Sequence, residues 1–185
     1  MNQIALKETP GTPPADNTRD DRQHLTFMLG KETFAIGILA IKEIIEYGQL
    51  TTVPMMPVFI RGVINLRGSV VPVVDLAVRF GGTPAEVTRR TCIIIIEFAA
   101  EDETQVAGVV VDAVNEVLEI PAADILPPPA FGASIRADFI KGMGKVQDKF
   151  VIILDVDKVL SVDDLALLEQ AAHAKAESGV QAECH

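Results

Sequence analysis

"FIRGVINLRGSVVPVVDL", Phe59 to Leu76, sets two Arg-Gly pairs inside a run of apolar, β-branched residues. Val63 to Leu66 and Val70 to Val74 flank Arg67-Gly68-Ser69, so the stretch reads as two strands joined by a tight turn, with Gly68 as a turn residue. Pro72 has no N–H to give to a ladder, which demands a sheet edge or a bulge there. An unpaired arginine is costly to bury in such a hairpin, so Arg67 is expected to reach solvent at the turn or to pair.

The stretch has a second copy. It aligns without a gap on "FIKGMGKVQDKFVIILDV", Phe139 to Val156, with Arg61 on Lys141, Gly62 on Gly142, Leu66 on Val146 and Asp75 on Asp155. Upstream, "AIKEIIE" ending at Glu46 matches "AVNEVLE" ending at Glu119. The offset grows from 73 (46 to 119) to 80 (59 to 139), which places a longer connection around "LPPPAFGAS" in the second copy. Each copy reads as an alternating strand (Phe34, Ile36, Ile38; Val109, Val111), a strand at the Glu-x-x-Glu block, a Pro-containing connection and a hairpin. That series, about five short strands per copy, suggests a mainly β chain of two small SH3-type barrels, or a sandwich made from both copies. A unit of about 60 to 70 residues is marginal alone, so the copies are expected to share an apolar interface, with the cleft between them a natural binding site.

The repeat also separates structural from functional residues. Gly62 recurs as Gly142 and has a structural claim, through a close contact or a positive φ. Arg67-Gly68 becomes Gln147-Asp148, so the scaffold forms this hairpin without an arginine, and Arg67 stands out as a candidate for function.

Residues 1–23, rich in Pro, Thr and Asp, are expected to be a disordered tail. The body spans 24–160, its copies lying at about 24–90 and 91–160 with exchange of strands between them left open. Ser161 and Asp164 then open a helix expected over 161–178, with Leu165, Leu168 and Ala172 on one face, and 179–185 form a tail.

A formal net charge of -10, no Trp and one Tyr disfavour binding to nucleic acid or to anionic lipid. From Thr91 to Ile135 there is no Lys or Arg, whereas Arg61, Arg67, Arg79, Arg89 and Arg90 fall in the first copy, which predicts an electrostatically two-sided molecule. Cys92 and Cys184 read as inert thiols of a reducing compartment, and no apolar run approaches the roughly 20 residues of a membrane span, so a cytoplasmic protein is expected. His24, His173 and His185 have no metal-ligand spacing and no nucleophile beside them. "GMGK", Gly142 to Lys145, lacks the rest of a phosphate loop. Asp75 and Asp155 read as caps of the short helical segments that follow rather than as an acid–base pair. No catalytic residue, cofactor or metal is therefore expected.

In order along the chain, "FAIGILAIKEIIE", "TVPMMPVFIRGVINLRGSVVPVVDL", "VVVDAVNEVLEI" followed by "ILPPP", and "FIKGMGKVQDKFVIILDVDKVL" resemble segments of the CheW family of chemotaxis coupling proteins. The resemblance covers roughly His24 to Gln170. It implies two SH3-like five-stranded barrels on a hydrophobic seam, and an adaptor rather than an enzyme. Its partners would be the cytoplasmic tip of chemoreceptors and the regulatory domain of the histidine kinase CheA, with association to receptor arrays through proteins and no membrane insertion. By the same resemblance Ile41, Glu43, Gly62, Arg67 and Ile93 fall on positions of receptor or kinase contact, undivided between the two. Ile41 and Ile93 would wall a groove for a receptor helix; on periodicity alone simple core is an equal reading. The alternatives are a barrel module of another chemosensory or two-component pathway and, with less support, a nucleic-acid-binding barrel or an enzyme.

Overall fold

A computed structural model describes residues 21–100, 102–128 and 137–160. The strands are β1 (Gln23–Leu29), β2 (Glu32–Gly37), β3 (Ile41–Glu46), β4 (Ile60–Leu66), β5 (Ser69–Asp75), β6 (Cys92–Ala100), β7 (Glu103–Val111), β8 (Ala113–Glu119), β9 (Ile125–Leu126), β10 (Ile140–Val146) and β11 (Lys149–Leu154). Single helical turns follow each repeated hairpin, α1 (Leu76–Arg79) and α2 (Val156–Val159). Residues 1–20, the expected helix 161–178 and the tail 179–185 lie outside the described residues, and Gln23, assigned to the tail by composition, opens β1.

The fold is mainly β, in two sheets that do not follow the halves of the chain. One runs β8-β1-β2-β11-β10-β9 and the other β3-β6-β7-β5-β4. Each sheet takes its leading hairpin, β1–β2 or β6–β7, from one copy and its remaining strands from the other. The exchange is sealed by two parallel pairings in matching register: Ile153 of β11 opposite Ala35 of β2, and Val73 of β5 opposite Gly108 of β7. Neither copy contains a complete sheet.

Burial explains the residue pattern. Along β2, Phe34 and Ile36 point into a large apolar seam between the sheets while Ala35 points into the smaller interior of its own sheet, with Ile120, Val151 and Ile153. Along β6, Ile94 and Ile96 enter the seam while Ile93 and Ile95 enter the interior of the second sheet with Val73 and Val110. The unbroken run "CIIIIEF" thus reflects a strand covered on both faces. Most of the core is seam: 20 buried residues cluster there, against four in each sheet interior. At about 25 cal/mol per Å² of apolar area buried, the seam dominates the hydrophobic stabilisation of the molecule.

Pro72 is accommodated by a gap in pairing. β5 meets β7 only from Val73 to Asp75, leaving Pro72 with β4 alone (Val63), whereas Ile152 at the same place in β11 pairs with Phe34. Gly62 and Gly142 are required by crossings of the chain. A Cβ on Gly62, whose φ is 155°, would lie 2.5 Å from the carbonyl oxygen of Thr51, and one on Gly142 would lie 2.5 Å from Ile125 Cγ2 and 2.9 Å from the Leu126 carbonyl oxygen.

Candidate partner-binding surface

The β4–β5 turn has both central residues in the left-handed region, Arg67 at φ 53° and Gly68 at φ 89°, and the β10–β11 turn repeats this with Gln147 at 49° and Asp148 at 65°. Such turns match the right-handed twist of the flanking strands. Asn65 Oδ1 accepts a hydrogen bond from the Gly68 N–H at 2.9 Å and holds the turn closed. Arg67 projects from it with its side chain 81% exposed, and its Nη2 donates to Glu43 Oε2 at 3.2 Å. Glu43 lies on β3, the outer strand at the other end of the same sheet. An ion pair this exposed contributes at most about 1 kcal/mol, so its effect is to aim the guanidinium rather than to stabilise the fold.

Around this pair the surface is mixed. Ile44 and Val70 are exposed, and Lys42 pairs with Glu97 at 3.5 Å across β3 and β6. A cavity of about 470 Å³ opens between β3 and β4, lined by Ile45, Leu50, Ile64 and Leu66.

The other predicted contact residues, Ile41, Gly62 and Ile93, are wholly or partly buried. Ile93 is only 1% exposed, at the floor of that cavity, because β6 is covered on both faces. Ile41 is half-buried against the seam. The antiparallel register, with a bulge between Ile41 and Glu43, sets Ile41 opposite Ile96, three residues or roughly 10 Å along β6 from Ile93, and the two side chains pack into different cores and wall no common groove. Gly62 is buried beneath Thr51, so it cannot offer a surface for direct contact. The basic side of the molecule also shrinks, since Arg61, Arg67 and Arg79 are all engaged within the chain.

Arg61 and Asp75 form the polar node of the second sheet. Asp75 is fully buried; its Oδ1 accepts from the N–H groups of Ala77 (3.0 Å) and Val78 (3.4 Å), capping α1, and its Oδ2 accepts from Ala85 N–H (3.2 Å) and Arg61 Nε (2.8 Å). Arg61 completes the node by donating to Tyr47 Oη at 3.2 Å and to the Ala85 carbonyl at 2.5 Å. Burial works against the charged guanidinium, but Asp75, aided by Tyr47, outweighs it and holds the Arg61 pKa above its ordinary value. The carboxylate is saturated with donors and sealed from solvent, which suits it to fastening the 80–90 loop and not to proton transfer. In the second copy the node is reduced to a cap, with Asp155 accepting from Lys158 N–H at 3.4 Å and Lys141 exposed.

Sequence reasoning missed the segment 54–58. Met55, at φ 61°, is 97% exposed, and Val58 is 81% exposed. Two methionines between prolines in a connection were the available signal, because methionine with no covering strand suits an adaptable contact surface. His24 was also missed as a buried polar group: its Nδ1 lies 2.9 Å from the Arg22 carbonyl, and burial, helped by Lys141, holds its pKa below the usual histidine value against that hydrogen bond. Burial, with Glu46 nearby, pushes the Cys92 thiol up, which keeps it protonated. The β1–β2 turn, α1 and the loop after it line an open cavity of about 790 Å³. Among the described residues no cluster of His, Cys, Asp and Glu could hold a metal, and no helix is long and apolar enough to cross a membrane.

Comparison with known proteins agrees with this architecture. Residues 23–164 match the model of the CheW-like domain. The chain is 36% identical to a chemotaxis protein CheW of Klebsiella aerogenes over 82% of its own length and 89% of that protein's, and 32% identical to a chemotaxis protein CheW of Rhizobium meliloti over 80% and 92%. The crystal structure of the scaffolding protein TtCheW from Thermoanaerobacter tengcongensis superposes with a TM-score of 0.70 at 35% identity, covering 78% of this chain and 90% of that one. Two repeat-related sheets on one apolar seam and this match over most of the chain converge: the protein belongs to the CheW-like domain family and is a non-enzymatic chemotaxis scaffold.

Proposed function

We propose that the chain couples the cytoplasmic tips of chemoreceptors to the histidine kinase CheA, binding receptor and the kinase regulatory domain on different faces and joining receptor arrays through these proteins. The observation that carries this reading is Arg67. It sits in a backbone conformation that costs a non-glycine residue about 1 kcal/mol, at a turn whose counterpart manages with Gln147, and it is aimed outward by Glu43. An arginine fork held this way suits a partner's carboxylate or helix carboxyl end, with Ile44 and Val70 as the apolar flank. Gly62 and Ile93 act through the shape of the second sheet, and Ile41 through its edge at the seam. Micromolar contacts, about 8 kcal/mol each, are enough if both faces engage together. The test is co-sedimentation of the chain with CheA and a receptor signalling fragment, scored for kinase stimulation. Arg67→Glu sets two carboxylates against each other and is expected to lower recruitment and stimulation with an unchanged melting temperature. A folded Arg67→Glu protein that assembles fully active complexes refutes the role.

A further inference from the structure

We propose that Arg79 fixes the angle between the two sheets and is thereby a positioning residue for two-partner binding, a function that rests on the adaptor reading above. Arg79 ends α1, and its guanidinium carbon lies 4.7 Å from the ring centroid of Phe59 and 4.7 Å from that of Phe139. These two phenylalanines are counterparts in the repeat, one entering β4 and the other β10. The Arg79 Nε donates to the carbonyl of Val159 at 3.1 Å, and Val159 is the repeat counterpart of Arg79 itself (79 + 80 = 159). One cation therefore sits where the copies meet and touches matching residues from both.

The asymmetry has a physical cause. Two arginines facing each other across such a junction would repel in a poorly solvated place, and the second copy supplies a buried valine instead. Beside it, Phe80 lies between Phe34 and Phe139, with centroids 5.7 and 5.9 Å away, and extends an aromatic row across the seam. Apolar burial is non-directional and tolerates small rotations of one sheet on the other. A cation clamped between two ring faces with a directed N–H bond does not, since both weaken as the rings or the carbonyl turn away. The N–H of Ala99 also meets the Asp157 carboxylate at 3.1 Å from across the seam, but that contact is exposed to water.

The direct test places one spin label on each repeated hairpin, at Ser69→Cys and Lys149→Cys, with Cys92 and Cys184 replaced by alanine, and measures the distance distribution between them. Arg79→Met keeps the stem and removes the cation and donor; it is expected to broaden or shift the distribution, with Arg79→Lys in between. Binding of each partner alone should stay within about twofold, while joint assembly falls about tenfold or more, because linked engagement depends on geometry. A folded Arg79→Met protein with an unchanged distribution overturns the proposal. Should that variant not fold, Arg79→Lys, which loses the Nε donor, carries the same test with the same two outcomes. If the unsubstituted chain binds neither partner, the adaptor reading fails and the distances alone decide the role of Arg79.

Discussion

Replacing each of the two repeat-related aspartates by alanine should have very unequal effects. Asp75→Ala removes a fully buried carboxylate that pairs with Arg61 at 2.8 Å and accepts three backbone N–H groups. Breaking a buried pair by deleting one partner costs about 3 to 5 kcal/mol, and the Arg61 side chain, 21% exposed, recovers part of its solvation, which favours the lower end. A lost cap of about 1 kcal/mol is partly included, because the bonds share one carboxylate. The total is about 3 to 4 kcal/mol, or roughly 10 °C in melting temperature for a chain of this size. Asp155→Ala loses one N–H contact at 3.4 Å from a half-buried position, for about 0.5 to 1 kcal/mol. Arg61→Lys keeps the charge near Asp75 but not the fork that reaches Tyr47 and Ala85, and should fall between them. Urea unfolding followed by circular dichroism measures all three, provided the m-value is unchanged. Losses for Asp75→Ala and Asp155→Ala within about 0.5 kcal/mol of each other would show that the node has been misread.

Gly62→Ala should destabilise by about 2 kcal/mol or more, since its Cβ meets backbone at 2.5 Å, whereas Gly68→Ala, in open space, should lose only about 1 kcal/mol from its positive φ; thermal melts of the pair decide it. Stability should also fall as pH drops through the unfolded histidine value of 6.5, because the folded pKa of His24 is depressed and the unfolded chain then binds the extra proton. That stability is fully present above 6.5 and lost as pH falls towards the folded pKa. Urea midpoints at pH 7.5 and 6.0 should converge in His24→Gln, and an unchanged difference would assign the effect elsewhere.

The repeat and its hairpins were legible because Arg61-Gly62 and Lys141-Gly142 recur in the same frame. The exchange of hairpins was not. "IKEIIE" and "VNEVLE" present nearly the same alternation, so β1 could pair with β3 or with β8 on pattern alone, and only the seam decides. Arg67 could be read at the surface because a turn residue has few ways to be buried, whereas charge alone does not single out Glu43 among the carboxylates of the first copy, and only the family resemblance pointed to it. Ile41 and Ile93 could not be separated, since an apolar residue in a strand does not reveal whether its face meets the seam, the sheet interior or a partner. Formal charge misled in the first copy, where Arg61 and Arg79 spend theirs on Asp75 and on two phenylalanine rings.

The reciprocal exchange of β1–β2 and β6–β7 bears on how such a chain is made. During synthesis β3, β4 and β5 emerge with no β6–β7 hairpin to flank them, while β1 and β2 must wait for β8 and β11, which ends at Leu154. Neither sheet can be completed early, so folding depends on distant contacts and is slow relative to that of a chain with local pairings. A nascent chain halted near residue 90 would expose unpaired strand edges, a natural target for chaperones or proteases. By the same logic the completed molecule is expected to gain or lose its two sheets together, since each is built from strands of both copies.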